Sequence, residues 1–190
     1  MQKDNFSQKI ISFFTSIHPL DRVPRAGWVL RGVPYPEDVA AHSHFLALLV
    51  MLFVDQFPGR WDAAKALRMA LIHDLPEAFL MDIPMPMADT FLGQAKQNAE
   101  LKLIQHLFYG WGEGPVQLFA DFLARQSPEA RLVAALDKVQ MMLKVLNYEK
   151  AGLGNLIEFW DNTDNFNDYG ITEVAELFKA IRQAAGKEMT

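Results

Sequence analysis

A chain of 190 residues is long enough for one sizeable core and short for two. Its 51% apolar and 22% charged residues exclude a disordered tail and a membrane bundle; 18 basic against 23 acidic residues, without a Lys/Arg cluster, exclude the electrostatic footprint of a duplex-nucleic-acid binder. There is no cysteine, so disulfides, thiolate metal sites and thiol nucleophiles are excluded together, and any metal must be held by His, Asp and Glu.

Phe6, Ile10, Phe13, Phe14 and Ile17 fall at helical spacing and predict an amphipathic first helix rather than a signal peptide. From His18 to Asp38 the chain carries Pro19, Pro24, Pro34 and Pro36 with Gly27 and Gly32, which predicts a long loop. Its Trp28, Val29, Leu30 and Tyr35 argue that this loop packs onto something. Residues 39–57 are apolar nearly all the way round, the pattern of a central buried helix, and Pro58-Gly59 ends it. The apolar run 45–54 is about half of what a bilayer span needs, so no membrane partner and a cytoplasmic setting are expected.

A second helix is predicted over 61–74, with Ala64, Leu67, Ala70 and Leu71 as its apolar stripe and Pro76 as its breaker. Pro84 and Pro86 keep the following stretch irregular. Residues 94–109 return to helical spacing, with Leu101, Ile104 and Phe108 on one face, and 115–125 form a shorter helix. Ser127-Pro128 reads as N-cap and first position of a long helix running to about Lys150. I-E-F-W predicts a short helix, and 173–185 a last amphipathic one before a flexible tail from about 186. With no alternating strand pattern and no repeat, the expectation is one all-α domain over 1–190, a bundle of roughly seven or eight helices.

The chemistry-bearing residues sit in apolar surroundings. His42 and His44 are two residues apart on a helix and diverge by about 200°, so at most one can serve a given site. His73 and Asp74 are adjacent, about 100° apart, close enough for both tips to lean onto one ion. Asp137 has Val133, Ala134, Gln140 and Met141 as helical neighbours, and a carboxylate there needs a partner; Lys138 is expected to diverge from it. Two imidazoles and two carboxylates make a mixed nitrogen and oxygen shell suited to a divalent transition ion. Glu77 follows Asp74 by three residues and faces the same way if the turn continues past Pro76. A core imidazole and a solvated helix-end glutamate remain the plain alternatives for these residues.

The motifs R-V-P-R-A-G-W-V-L-R-G-V at 22–33, E-D-V-A-A-H-S-H, H-D-L-P-E-A with D-I-P shortly after, L-D-K-V-Q-M-M-L, and L-N-Y-E followed by F-W-D-N-T together resemble the HD-domain phosphohydrolases, and within them the 5′-deoxynucleotidase group. The resemblance implies an HD-type helical bundle with His42, His73, Asp74 and Asp137 as metal ligands, Glu77 as the residue that orients or deprotonates the attacking water, and Asp82 as a second catalytic acid. It implies one divalent ion such as cobalt or manganese, a deoxynucleoside 5′-monophosphate substrate and a homodimer. Arg25 and Trp28 are candidates for the phosphate and for the sugar or base, with Arg31 a competing phosphate ligand.

This chain departs from the family pattern in three places. Ala41 stands where an acidic residue is usual, Met81 where glycine is common before the Asp, and Lys96 is the nearest lysine beyond that motif. The expected function is a metal-dependent phosphomonoesterase. The alternatives are hydrolysis of another phosphate ester, or a helical binding module in which an ion only staples helices together.

Overall fold

A computed structural model of the chain describes residues 6–84 and 87–187. Among them the structure is helical: α1 (Phe6–Ile17), α2 (Ala26–Val29), α3 (Val39–Gln56), α4 (Ala63–Ile72), α5 (Glu77–Leu80), α6 (Gly93–Leu107), α7 (Gly114–Ala124), α8 (Pro128–Lys150), α9 (Ile157–Asp161) and α10 (Thr172–Ala184). Short 3-10 turns cover His18–Arg22 and Thr163–Phe166, and a π-type turn over Met87–Leu92 leads into α6. Because α2, α5 and α9 are turns of four or five residues, the longer helices fall in the expected number. The all-α fold is as expected.

Local chemistry starts the three helices that matter most. Asp38 accepts from the Ala41 amide at 2.7 Å, Asp62 from Lys65 at 2.9 Å and Ser127 from Ala130 at 3.1 Å, each an N-cap that satisfies an orphan amide. Pro128 occupies the first turn of α8, where its missing N–H costs nothing. Lys65 on α4 reaches Asp121 of α7 at 2.9 Å and Glu129 of α8 at 3.1 Å, tying the three together.

The central buried helix is α8, not α3. Leu132, Val133, Ala135, Leu136, Val139, Met142 and Val145 bury nearly every face of α8, whereas α3 buries about one position per turn, at Val39, His42, Leu46, Val50 and Val54. Phe45 and Leu52 of α3 are 44% and 60% exposed. An apolar composition states what a helix could bury, not which neighbours cover it. On α4 the buried positions are Ala66, Met69 and Ala70, while Ala64 and Leu71 face outward, so the expected stripe is rotated. A second apolar cluster, with Leu20, Leu75, Ile104 and Phe119, lies beneath α1 and carries Phe13 and Ile17 at its edge.

The long loop is more ordered than its prolines suggest. Arg25 N–H donates to the Glu37 carbonyl at 3.0 Å and Val39 N–H to Val23 at 2.9 Å, so the two arms of the loop are clamped around α2. Trp28 is buried there, but Val29, Leu30 and Tyr35 are exposed, against the expectation that they pack. At the other end of the chain the Gly186 and Lys187 amides return to the carbonyls of Gln183 and Arg182, a Schellman closure of α10. These two residues of the expected flexible tail are therefore tied down; the rest of it, and Pro86, lie outside the described residues.

Met81, directly after α5, has φ 63° and ψ 168°, a region that glycine enters freely and a side chain does not. Such a conformation costs on the order of 1–3 kcal/mol and persists where surrounding structure enforces it. Here the next residue, Asp82, is held by the Ala26 amide at 2.6 Å. Met81→Gly is expected to stabilise the chain by about 1 kcal/mol net of the extra freedom of the unfolded glycine, raising Tm by a few degrees in thermal unfolding.

Candidate active site

Three helices and one turn converge on a small polar centre. His42 is fully buried on α3. Its Nδ1 faces the Gln140 side-chain oxygen at 2.7 Å, so Nδ1 carries the proton and Nε2 presents its lone pair. His73, at the end of α4, does the same through the Ala70 carbonyl at 2.8 Å. Both Nε2 atoms are buried without a hydrogen-bond partner. They turn toward carboxylates: His42 Nε2 is 3.1 Å from Asp137 and 3.5 Å from Asp74, and His73 Nε2 is 3.0 Å from Asp74. One ligand atom each from His42, His73 and Asp137 lies within 4.8 Å of the others. His44 faces outward on the same helix, as its phase requires.

After His73 the chain runs through a tight turn in which the Leu75, Glu77 and Ala78 amides bond three residues back. The turn thus continues past Pro76 and brings Glu77 to the same side as Asp74. Glu77 is 6% exposed, and its Oε2 has no hydrogen-bond donor, only Arg25 Nη1 at 3.6 Å. The same Nη1 lies 3.3 Å from Asp74 and 3.4 Å from Asp82. Asp82 also accepts from the Ala26 amide, so it ties the Arg25 loop to this centre. Lys96 of α6 pairs with Glu100, and its charge acts on Glu77 and Asp74.

The electrostatics follow from that crowding. Burial opposes the charged form of Asp74, but His73 and then Arg25 outweigh it and hold the carboxyl well below its usual range. Asp137 is held low in the same way, burial being overcome first by His42 and then by His73. His73 binds its proton more tightly than usual because Asp74 and Asp137 outweigh the burial. Glu77 moves the other way: burial, then the neighbouring Asp74, push its carboxyl well up despite Arg25. Two nearby carboxyl groups are thereby driven apart, an arrangement that acid–base sites share.

Arg25, Asp82 and Asp137 also line a cleft of about 530 Å³, whose other walls include Trp28, Arg31, Lys138, Met141 and Phe159. Trp28 is only 2% exposed; Phe159 stacks on it with ring centroids 4.8 Å apart. Arg31 pairs with Glu158 and lies over the Phe159 ring at 5.5 Å. Lys138, expected to diverge from Asp137, lines the same cleft. Sequence reasoning missed Phe159, which showed only as part of a short helix, and Gln140, whose one signal was a polar residue in a core run three positions after Asp137.

These residues suit a divalent cation on their own chemistry. In their neutral forms both imidazoles offer Nε2 with the opposite nitrogen already engaged, and a cation takes the place of the proton that Asp74 and Asp137 otherwise hold on His73. A buried lone pair without a donor is costly, and a cation would satisfy His42, His73 and Asp137 together, with Asp74 beside them at 3.0 Å from His73 Nε2.

A family model described as HD domain matches residues 17–177. The 5′-deoxynucleotidase HDDC2 of Mus musculus is 30% identical over 183 residues, covering 93% of this chain and 89% of the relative, and that of Homo sapiens is 29% identical over 183 residues, covering 93% and 87%. Among solved structures, a conserved hypothetical protein from Pyrococcus furiosus is similar with a TM-score of 0.76 and 30% identity, covering 91% of this chain and 99% of that one. A predicted metal-dependent phosphohydrolase from Magnetospirillum magnetotacticum has a TM-score of 0.61 at 20% identity, covering 96% and 97%, a likeness of fold.

If the four-residue cluster binds a cation, manganese or cobalt at about 100 times its dissociation constant stabilises the folded chain by about 2.7 kcal/mol. That corresponds to a rise in Tm of roughly 5–10 °C. Chelation is expected to reverse the rise and Asp137→Ala to abolish it, as read by thermal unfolding with and without metal.

Proposed function

The chain belongs to the HD-domain family and is a metal-dependent phosphohydrolase, and from that premise we propose that it removes phosphate from deoxynucleoside 5′-monophosphates. The observation that carries the reading is the convergence of the His42 and His73 Nε2 atoms with Asp74 and Asp137, the last of which lines a cleft together with Arg25. The relatives named 5′-deoxynucleotidase support the substrate class. A homodimer and a cytoplasmic setting belong to the same proposal and rest on the resemblance.

His42, His73, Asp74 and Asp137 would hold the ion. When bound, a divalent ion supplies Lewis acidity toward a phosphoryl oxygen and toward the attacking water. Arg25 sits where its planar fork reaches a phosphate beside Asp137, and the attractive carboxylates around it hold that fork in place. Glu77 offers Oε2, the buried oxygen with no other donor, to the water's proton; its raised proton affinity brings it toward the working range of a general base. Water oxygen joins phosphorus as its proton passes to Glu77, the bond from phosphorus to the 5′-oxygen breaks, and the departing oxygen takes a proton from Glu77 or from solvent. Both oxygens of Asp82 are engaged, by Arg25 and by the Ala26 amide, which favours a part in holding the phosphate-binding loop over proton transfer.

Trp28 and Phe159 contribute an apolar patch to a cleft whose other lining includes Asn162, Asp164 and Asn165, so the preference for a deoxy sugar rests on the relatives named 5′-deoxynucleotidase. Arg31, already paired with Glu158 farther along the cleft, stands second to Arg25 as the phosphate ligand.

Phosphate release from a panel of nucleoside 5′-monophosphates, with manganese or cobalt present, is expected to favour deoxy over ribo substrates. Glu77→Gln is expected to lower kcat by about 10²- to 10⁴-fold while keeping the metal-induced rise in Tm. Background turnover across the whole panel alongside that same rise would leave an ion that only staples helices. Turnover of ribo and deoxy substrates at equal rates would remove the sugar preference.

A further inference from the structure

The polar groups behind the metal-facing histidine form a continuous buried chain. Gln140 is 3% exposed, and its side-chain oxygen accepts from His42 Nδ1 at 2.7 Å. Its Nε2 donates to Glu37 at 2.9 Å. Glu37, 8% exposed, accepts also from the Trp28 indole N–H at 3.2 Å and faces Lys144 Nζ at 3.2 Å. The backbone amide of Glu37 donates to the Tyr148 hydroxyl at 2.9 Å, which fixes the residue from its main chain as well.

We propose that Glu37 and Gln140 are positioning residues of this centre, Glu37 holding the Gln140 amide so that its oxygen accepts the His42 Nδ1 proton and Nε2 is left to face the ion. The inference rests on the metal-site reading given under the proposed function. Donor and acceptor counting gives it its content. A glutamine amide can present either end to His42, and the NH₂ end would select the opposite imidazole tautomer, with Nε2 protonated. A carboxylate has no donor, so Glu37 can only receive the NH₂ end of Gln140. The carboxylate of Glu37 therefore sets the amide, and the amide sets the imidazole. Lys144 and the Trp28 indole occupy the remaining acceptor positions of Glu37, which keeps this buried carboxylate satisfied.

The same carboxylate holds Trp28, so the cleft wall and the metal-facing imidazole hang from a single residue. Ala41, the position before His42, does not supply this contact. Its amide donates to Asp38, and the partner of His42 comes instead from α8.

Two readouts test the inference, and neither requires turnover. The first is the tautomer of His42 in the metal-free chain, read from imidazole nitrogen shifts by NMR; the second is the affinity for manganese or cobalt alone, read by calorimetry. Gln140→Leu is expected to remove the Nδ1–H preference and weaken metal binding by about 10- to 100-fold, the usual effect of losing such a partner. The exchanged pair Glu37→Gln with Gln140→Glu keeps the hydrogen bonds that link Trp28, position 37, position 140 and His42, and gives up the ion pair between Glu37 and Lys144. The carboxylate moved to position 140 accepts from His42 and from the amide moved to position 37, while the oxygen of that amide accepts from Trp28. The pair is expected to restore the Nδ1–H tautomer and an affinity within a few-fold of the parent, which keeps the test alive if Gln140→Leu fails to fold.

An unchanged tautomer and affinity in Gln140→Leu, or an exchanged pair that folds but recovers neither property, overturns the inference. A parent chain that takes up no ion overturns instead the metal reading beneath it, and the two failures are thereby distinct.

Discussion

The interior charge of this molecule balances on one guanidinium. Arg25 Nη1 lies within 3.6 Å of Asp74, Glu77 and Asp82, three carboxylates on one short stretch of chain. Like charges brought that close out of water repel strongly, and only opposite charge and hydrogen bonds can hold them. The loop that carries Arg25 must therefore be fixed against the turn that carries the acids. That is what the Ala26–Asp82 bond and the clamp between Val23, Arg25, Glu37 and Val39 accomplish. The strain at Met81 sits at the hinge of this arrangement, where the chain must swing out of α5 to deliver Asp82 to the loop.

The second constraint is directional. An imidazole can face a cation only if its other nitrogen is held as a donor, and each buried histidine here has its own holder: a carbonyl one turn back for His73, a side chain from another helix for His42. The first is local and follows from ending α4 at His73. The second depends on α8 lying against α3, so the central core and the site share one helix. Asp137 and Gln140 are three residues apart on α8, which places them on one face; one turns toward the cleft and the other lies behind His42. Packing that fixes α8 in the core fixes the site with it.

Much of this was legible in the sequence. The Ser127-Pro128 cap, the Pro and Gly stops and the apolar spacing locate the longer helices, because these signals act within a few residues. The divergence of His42 from His44 and the shared direction of Asp74 and Glu77 follow from helical phase alone. Which helix is central was not legible, since α3 is more uniformly apolar than α8 yet is covered on one side only. Glu37 was equally silent. In the sequence it is an acid beside two prolines, and its place is decided by residues more than 100 positions away, among them Gln140, Lys144 and Tyr148. Met81 stands where the resembled family commonly has glycine, and in the structure it takes a conformation that only glycine takes without cost.

The placement of Glu77 bears on whether this centre does chemistry or only joins helices. An ion held as a staple needs His42, His73, Asp74 and Asp137 and nothing further. Glu77 adds a buried carboxylate oxygen with no hydrogen-bond donor, an omission that costs about 1–3 kcal/mol, and it adds repulsion from Asp74. A structural site would gain stability by replacing it with an apolar side chain of similar size. Keeping a buried, donor-less acid 3.6 Å from the guanidinium of Arg25, which itself lines the cleft, is the expense that reacting sites carry for a proton acceptor of raised affinity. The unpaired oxygen of Glu77 thus argues for catalysis more strongly than the metal-facing cluster does, because the cluster alone serves either purpose.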